Sequence, residues 1–206
     1  MTGAESLINA LAEHGVEACF ANPGTSEMQL VAALDKQPSI RAVLCLFEGV
    51  VTGAADGYGR MADKPALTLL HLGPGFANGI ANLHNAQRAR SPILNMVGDH
   101  ATDHLQHDAP LTSDIRGFAS PVSRTFLVSA SATTLAQTGL DALAASLTHP
   151  GSISTNVVPA DHAWTAVEPQ PYHLPEITTK RISDDTVQTA AQALRNANKS
   201  CLFLGG

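Results

Sequence analysis

Residues 40–61 read Ile-Arg-Ala-Val-Leu-Cys-Leu-Phe-Glu-Gly-Val-Val-Thr-Gly-Ala-Ala-Asp-Gly-Tyr-Gly-Arg-Met. Ala42 to Phe47 is an apolar run within a predicted strand, Ile40 to Phe47, and Gly49 to Met61 has the length and small residues of a helix. One carboxylate, Glu48, stands between them, with nothing in the adjacent sequence to solvate it. The positive end of a helix favours an ionised carboxylate, whereas apolar surroundings disfavour the charged form. A group held between those two pressures is a candidate for proton transfer.

The same alternation extends in both directions. Upstream, Leu7, Ile8, Leu11 and Ala12 make a helical stripe that His14-Gly15 ends, Val16 to Ala21 is a predicted strand, and Asn22-Pro23-Gly24-Thr25 is a tight turn. Ser26 and Glu27 then lead into a helix through Leu30, Val31 and Leu34. Downstream, Ala66 to Leu70 is a strand, Gly73-Pro74-Gly75 a turn before a helix ending near Arg90, and Ile93 to Val97 a further strand. Apolar strands separated by helices predict an α/β fold, an open parallel sheet with helices on both faces.

Beyond Val97 the rhythm breaks at a polar, histidine-bearing loop, Gly98 to Pro110. A short helix (Thr112 to Ala119), a strand (Val122 to Val128), a helix (Leu135 to Leu147) and a last strand (Ile153 to Val158) complete a first domain over 1–160. Residues 161–180, with Pro169, Pro171 and Pro175, read as an irregular linker. Asp184 to Ala197 and Cys201 to Leu204 are a helix and strand opening a second α/β domain over 181–206. One helix and one strand bury no core of their own, so the chain is expected to be the front part of a longer protein.

Composition narrows the function classes. Hydrophobic residues make up 44% of the 206 and charged ones 15%, a share that suggests extensive internal contacts or a large interface with another chain, and an oligomer is expected. The formal charge of -6, with 12 Lys and Arg scattered along the chain, offers no stripe for a phosphate backbone, which argues against nucleic acid. No run approaches the length needed to span a bilayer. Cys19, Cys45 and Cys201 sit in apolar runs without metal-ligand spacing, the pattern of buried free thiols in a reducing, cytoplasmic compartment.

Ligands of open parallel sheets lie beyond the carboxyl ends of the strands. Four features gather there: Asn22 to Thr25, Glu48, His71 to Gly75, and Gly98 to His107. Gly73-Pro74-Gly75 suits a phosphate cradle or equally the close approach of a flat ring or another chain, and it matches neither the dinucleotide fingerprint nor the nucleotide loop. His71 ends a strand, where an imidazole is either a satisfied core residue or a proton-transfer group. The Asp and His residues of 99–108 read as a solvated loop rather than a metal site. No Gly-x-Ser-x-Gly elbow supports a serine hydrolase.

In the run Phe20 to Glu27, in Glu48 followed by Ala54-Ala55-Asp56-Gly57-Tyr58-Gly59-Arg60, in Gly73-Pro74-Gly75 with Asn78, and in Ser91-Pro92 leading to Gly98, the chain resembles the N-terminal, pyrimidine-binding domain of thiamine-diphosphate enzymes of the acetolactate synthase, benzoylformate decarboxylase and pyruvate decarboxylase group. The resemblance covers residues 1–160. It implies catalytic roles for Glu48, at N1′ of the aminopyrimidine, and for His71, which looks like a histidine of benzoylformate decarboxylase. It places Pro23, Gly24, Thr25, Glu48, Gly73 and Asn78 at the cofactor.

The implied activity is acetolactate synthase-like decarboxylation or carboligation of a 2-oxo acid. The alternatives are a benzoylformate decarboxylase-like enzyme and a non-catalytic subunit that completes a site on a separate chain. The implied cofactors are thiamine diphosphate and Mg2+, with FAD possible in the full-length protein, and the implied assembly is a homodimer or tetramer with the active site between chains. Two departures stand out. Phe47 occupies a position where histidine is common, which predicts a drier pocket for Glu48. Gly98-Asp99-His100 is not the Gly-Asp-Gly motif that anchors magnesium and diphosphate, so those ligands are expected in a missing C-terminal domain and the 206 residues alone are expected to be inactive.

Overall fold

The computed structural model describes residues 1–178 and 181–203. Its elements in chain order are α1 (Gly3–Glu13), β1 (Ala18–Asn22), α2 (Met28–Asp35), β2 (Arg41–Leu44), α3 (Glu48–Ala62), β3 (Ala66–Leu70), α4 (Leu72–Ala89), β4 (Ile93–Asp99), α5 (Ile115–Ala119), β5 (Thr125–Val128), α6 (Leu135–Leu147), β6 (Ile153–Pro159), α7 (Ala160–Trp164) and α8 (Asp184–Asn196). The six strands form one sheet in the order β2-β1-β3-β4-β6-β5, every pair parallel.

Helices cover both faces of that sheet. On β3, Leu67 and Leu69 point to a core shared with Leu7 and Leu11 of α1, Leu30 of α2 and Leu140 and Leu143 of α6. Ala66 and Leu70 point the other way, to Val51 of α3, Phe76 and Leu83 of α4, and Ile115 of α5. This alternation is the period of two along a strand, and strands buried on both faces carry the uninterrupted apolar runs seen in the sequence. Polar side chains on the second face bond one another across the strands: Thr68 Oγ1 donates to Asn95 Oδ1 (2.8 Å), and Thr155 lies within bonding distance of Asn95 (3.4 Å) and Ser123 (2.7 Å). Buried polar groups paired in this way avoid most of their desolvation cost.

Four local expectations change. The strand predicted over Ile40 to Phe47 stops at Leu44 and is exposed, Leu44 at 70% and Leu46 at 90%. β2 is an edge strand paired only to β1, and the Pro23 turn ends that partner. The helix after β3 starts at Leu72, so Gly73-Pro74-Gly75 is its first turn rather than a loop before it. A proline there loses nothing, because the first N–H groups of a helix have no partner within it. Cys201 is exposed while Cys19 and Cys45 are buried. Cys201–Phe203 form no strand; the rest of that predicted element, with Gly205-Gly206, lies outside the described residues.

The predicted linker is not wholly irregular. It begins with α7 inside it, and residues 166–172 fold back on α1 through a bridge from Ala166 to Thr2, a bond from Val167 N to Met1 O (2.9 Å), and a Ser6-to-Tyr172 hydroxyl bond (2.9 Å). α8, by contrast, buries none of its residues in the described structure.

Candidate active site

Glu48 is the first residue of α3, with Phe47 in extended conformation at the cap. Its carboxylate therefore meets the positive end of a helix, and the residue is 8% exposed. Asn78 Nδ2 donates to Glu48 Oε2 (3.0 Å) from 30 residues away, a polar neighbour that the local sequence did not reveal. Oε1 accepts no protein hydrogen bond among the described residues. It faces Gly75, where a Cβ would lie 3.1 Å from it and 3.2 Å from the Cβ of His71. Gly75 thus separates the two predicted catalytic residues and leaves the space between them open.

The α3–α4 seam fixes Glu48 against Asn78. The Thr52 hydroxyl, fully buried, lies within bonding distance of the carbonyls of Glu48 (3.1 Å), Gly49 (3.3 Å) and Gly79 (3.0 Å). Asn82 Nδ2 donates to Gly49 O (2.7 Å). Gly79 faces the Thr52 methyl so closely that a Cβ would overlap it. Small residues allow the helices this approach.

His71 caps α4 without a side-chain bond to the helix. The next residue, Leu72, has φ 51°, in the left-handed region that costs a non-glycine residue on the order of 1–2 kcal/mol. That strain sits where the chain turns from β3 into α4 and aims His71 across the strand ends. His71 Nδ1 lies 2.8 Å from Glu27 Oε2, and Glu27 is fully buried. The same oxygen accepts from Gly24 N (2.7 Å). Gly24 in turn packs on the imidazole face, where a Cβ would overlap the ring. Behind Glu27 stands Gly98, the only residue type that leaves room for Oε1; that oxygen has no hydrogen-bond partner among the described residues.

The predicted residues are thus only partly gathered. Gly24, Glu48, His71 and Asn78 meet around Gly75. Thr25 is exposed on an adjoining cleft of about 440 Å³ with Ser26, His100, His104 and Trp164. Pro23 lines a separate cavity of about 210 Å³ against β2. Gly73 faces Ser113 and Phe118, and its neighbour Gly75 abuts Glu48 instead. Gly75 and Gly98 fall within strand-end stretches that the sequence marks, whereas Glu27 lies outside all of them. The spacing of Gly24 and Glu27 is that of a capping box, a signal for Glu27 at a helix start, but its burial and its bond to His71 join distant parts of the chain.

Asp99 ends β4 beside the site, and burial raises its carboxyl above the ordinary range, against the lowering by the His100 backbone N–H on Oδ1 (2.8 Å). Arg60, in the last turn of α3, pairs with Asp56 (2.6 Å), which also accepts from the Ser91 hydroxyl. Among the described residues no three His, Cys, Asp or Glu are grouped to hold a metal ion, and no helix is long and apolar enough to cross a membrane.

Residues 1–118 match the family described as thiamine pyrophosphate enzyme, N-terminal TPP binding domain. A Mycobacterium tuberculosis protein provisionally named acetolactate synthase large subunit IlvX is 49% identical across the whole chain, which spans 39% of that relative. The acetolactate synthase large subunit of Haemophilus influenzae is 29% identical, again across the whole chain and 37% of the relative. The structure of the Rhodococcus jostii thiamine diphosphate-dependent 4-hydroxybenzoylformate decarboxylase superposes on 96% of the chain and 38% of its own length, with a TM-score of 0.84 at 22% identity. The parallel sheet and the family match agree, and this chain belongs to the thiamine pyrophosphate enzymes, whose N-terminal cofactor-binding domain it carries.

Proposed function

We propose that this chain holds the aminopyrimidine half of thiamine diphosphate in an acetolactate synthase-like enzyme that decarboxylates a 2-oxo acid and joins the product to a second carbonyl compound. The observation that carries the proposal is the Glu48 carboxyl: buried at a helix start, oriented by Asn78 through one oxygen, and open at the other beside Gly75. This donor set fits a flat nitrogen heterocycle. Glu48 would share a proton with ring atom N1′, Asn78 would keep the carboxyl in plane, and Gly24 and Gly75 would leave room for the ring. Thiamine diphosphate, when bound, supplies the nucleophilic carbon and the electron sink.

His71 would move a proton to or from the substrate-derived oxygen or carbon. Mg2+ and the diphosphate would be held by residues outside this site, as would any FAD, and the assembly would be a homodimer or tetramer with the site between chains, in the cytoplasm. In support of a partner, a groove of about 630 Å³ runs along α3 and α4, lined by Phe47, Gly49, Val50, Gly53, Ala54 and Asn78. Phe47 and Val50 are half-exposed there, and Asn78 belongs both to the groove and to Glu48. His71 also favours a second reading, a decarboxylase of the benzoylformate type without carboligation.

Product analysis decides between them. The full-length protein, given thiamine diphosphate, Mg2+ and pyruvate, is expected to release carbon dioxide and form a carbon–carbon bond. Benzaldehyde from benzoylformate, with no ligated product from pyruvate, would favour the second reading. Turnover of neither acid would refute the proposal.

A further inference from the structure

We propose that Glu27 is a positioning residue that holds His71 as the Nδ1–H tautomer, so that Nε2 is the nitrogen that exchanges protons in the site. The role assigned to Nε2 rests on the function proposed above; the tautomer itself rests only on the geometry. Glu27 Oε2 stands 2.8 Å from His71 Nδ1 and 2.7 Å from Gly24 N. The backbone N–H can only donate, and both distances lie in the range of hydrogen bonds to an ionised acceptor. Glu27 also directly precedes α2, whose positive end favours a negative charge.

The other carboxyl oxygen, Oε1, lies against Gly98 with no hydrogen-bond partner among the described residues, so the polar contacts of the Glu27 carboxyl are made through Oε2 alone. With Glu27 as the carboxylate of this proposal, Oε2 accepts from both neighbours, which makes Nδ1 the donor on the imidazole. A neutral imidazole of that tautomer accepts a proton only at Nε2. The imidazolium so formed stays paired with the Glu27 carboxylate and gives the same proton back from Nε2, with no net change in the enzyme. Because Gly24 hangs from the same oxygen, Glu27 fixes the Asn22–Thr25 turn and the imidazole together.

Two measurements test this independently. Long-range nitrogen–proton correlation on the full-length protein labelled with 15N-histidine, at pH 8 without cofactor or substrate, is expected to show His71 with a protonated Nδ1, the signal being assigned by its loss in His71→Gln. A bare Nδ1 would overturn the proposal whatever reaction the protein performs. In steady-state assays of the full-length protein, Glu27→Gln is expected to lower kcat on the order of tenfold or more with KM little changed. The double variant with His71→Ala should lose no more than His71→Ala alone. Fully additive losses, or wild-type kcat in Glu27→Gln, would overturn the positioning role. Absence of any turnover by the wild-type protein would refute the proposed function and leave the tautomer measurement standing.

Discussion

Replacing Gly75 with alanine should separate the stability of this fold from its ability to hold a cofactor. Gly75 lies in the first turns of α4, where alanine is favoured over glycine by about 0.5–1 kcal/mol. Against that gain, the new Cβ would sit 3.1 Å from Glu48 Oε1 and 3.2 Å from His71 Cβ, a few tenths of an ångström inside the optimum for carbon contacts. Relief requires only small shifts, at a cost at the low end of the roughly 1–3 kcal/mol for overpacking. The two terms nearly cancel, so urea unfolding should place Gly75→Ala within about 1 kcal/mol of wild type. Binding does not cancel, because the methyl fills the space beside Oε1 where the ring would lie in the proposed mode. Losing one hydrogen bond to a charged group costs about 1.5–3 kcal/mol, roughly ten- to a hundredfold in affinity. Calorimetric titration of the full-length variant with thiamine diphosphate and Mg2+ reads that loss; wild-type affinity with the methyl in place would refute the cradle.

Three further outcomes follow from burial. Burial holds the Asp99 carboxyl above its ordinary value of 3.8, so the folded state binds more protons than the unfolded one and stability erodes as pH rises through that window. Asp99→Asn should therefore gain stability over wild type at pH 7 but not at pH 3 in denaturant titrations, and an equal effect at both would contradict the shift. Asn156 in β6 is fully buried with neither amide atom bonded among the described residues, so Asn156→Leu, close in volume, should stabilise the fold by about 1–3 kcal/mol; destabilisation would contradict the unpaired amide. Burial also pushes the Cys19 thiol up to about 12 and raises that of Cys45, whereas Cys201 is exposed. A thiol reagent should label Cys201 in the native protein and Cys19 only on unfolding, and equal rates would contradict the core assignment.

The strand and helix alternation was legible because each unit is encoded locally. The apolar run of β3 and the glycine-ended stripe of α1 needed no distant partner to be recognised. Strand order was not legible: nothing in Ile40 to Phe47 says that β2 lies at an edge, since that depends on which strand pairs beyond it. Glu48 and His71 could be singled out as polar groups ending apolar runs. What they touch could not, because Asn78 reaches Glu48 across the α3–α4 seam, and Glu27 at the start of α2, His71 after β3 and Gly98 in β4 come from three separate parts of the chain. The Gly-Pro-Gly turn misled for a local reason, since proline and glycine punctuate loops and first helical turns alike.

The central claim is that Glu48 contributes the carboxyl on which cofactor chemistry in this site depends, and kcat of the full-length Glu48→Gln variant tests it most directly. The substitution preserves shape and the Asn78 contact while removing the exchangeable proton. Turnover of the 2-oxo acid should fall by about 10²- to 10⁴-fold, the usual scale for a lost acid–base group, with an unchanged unfolding midpoint. Wild-type kcat in a folded Glu48→Gln protein would contradict the account.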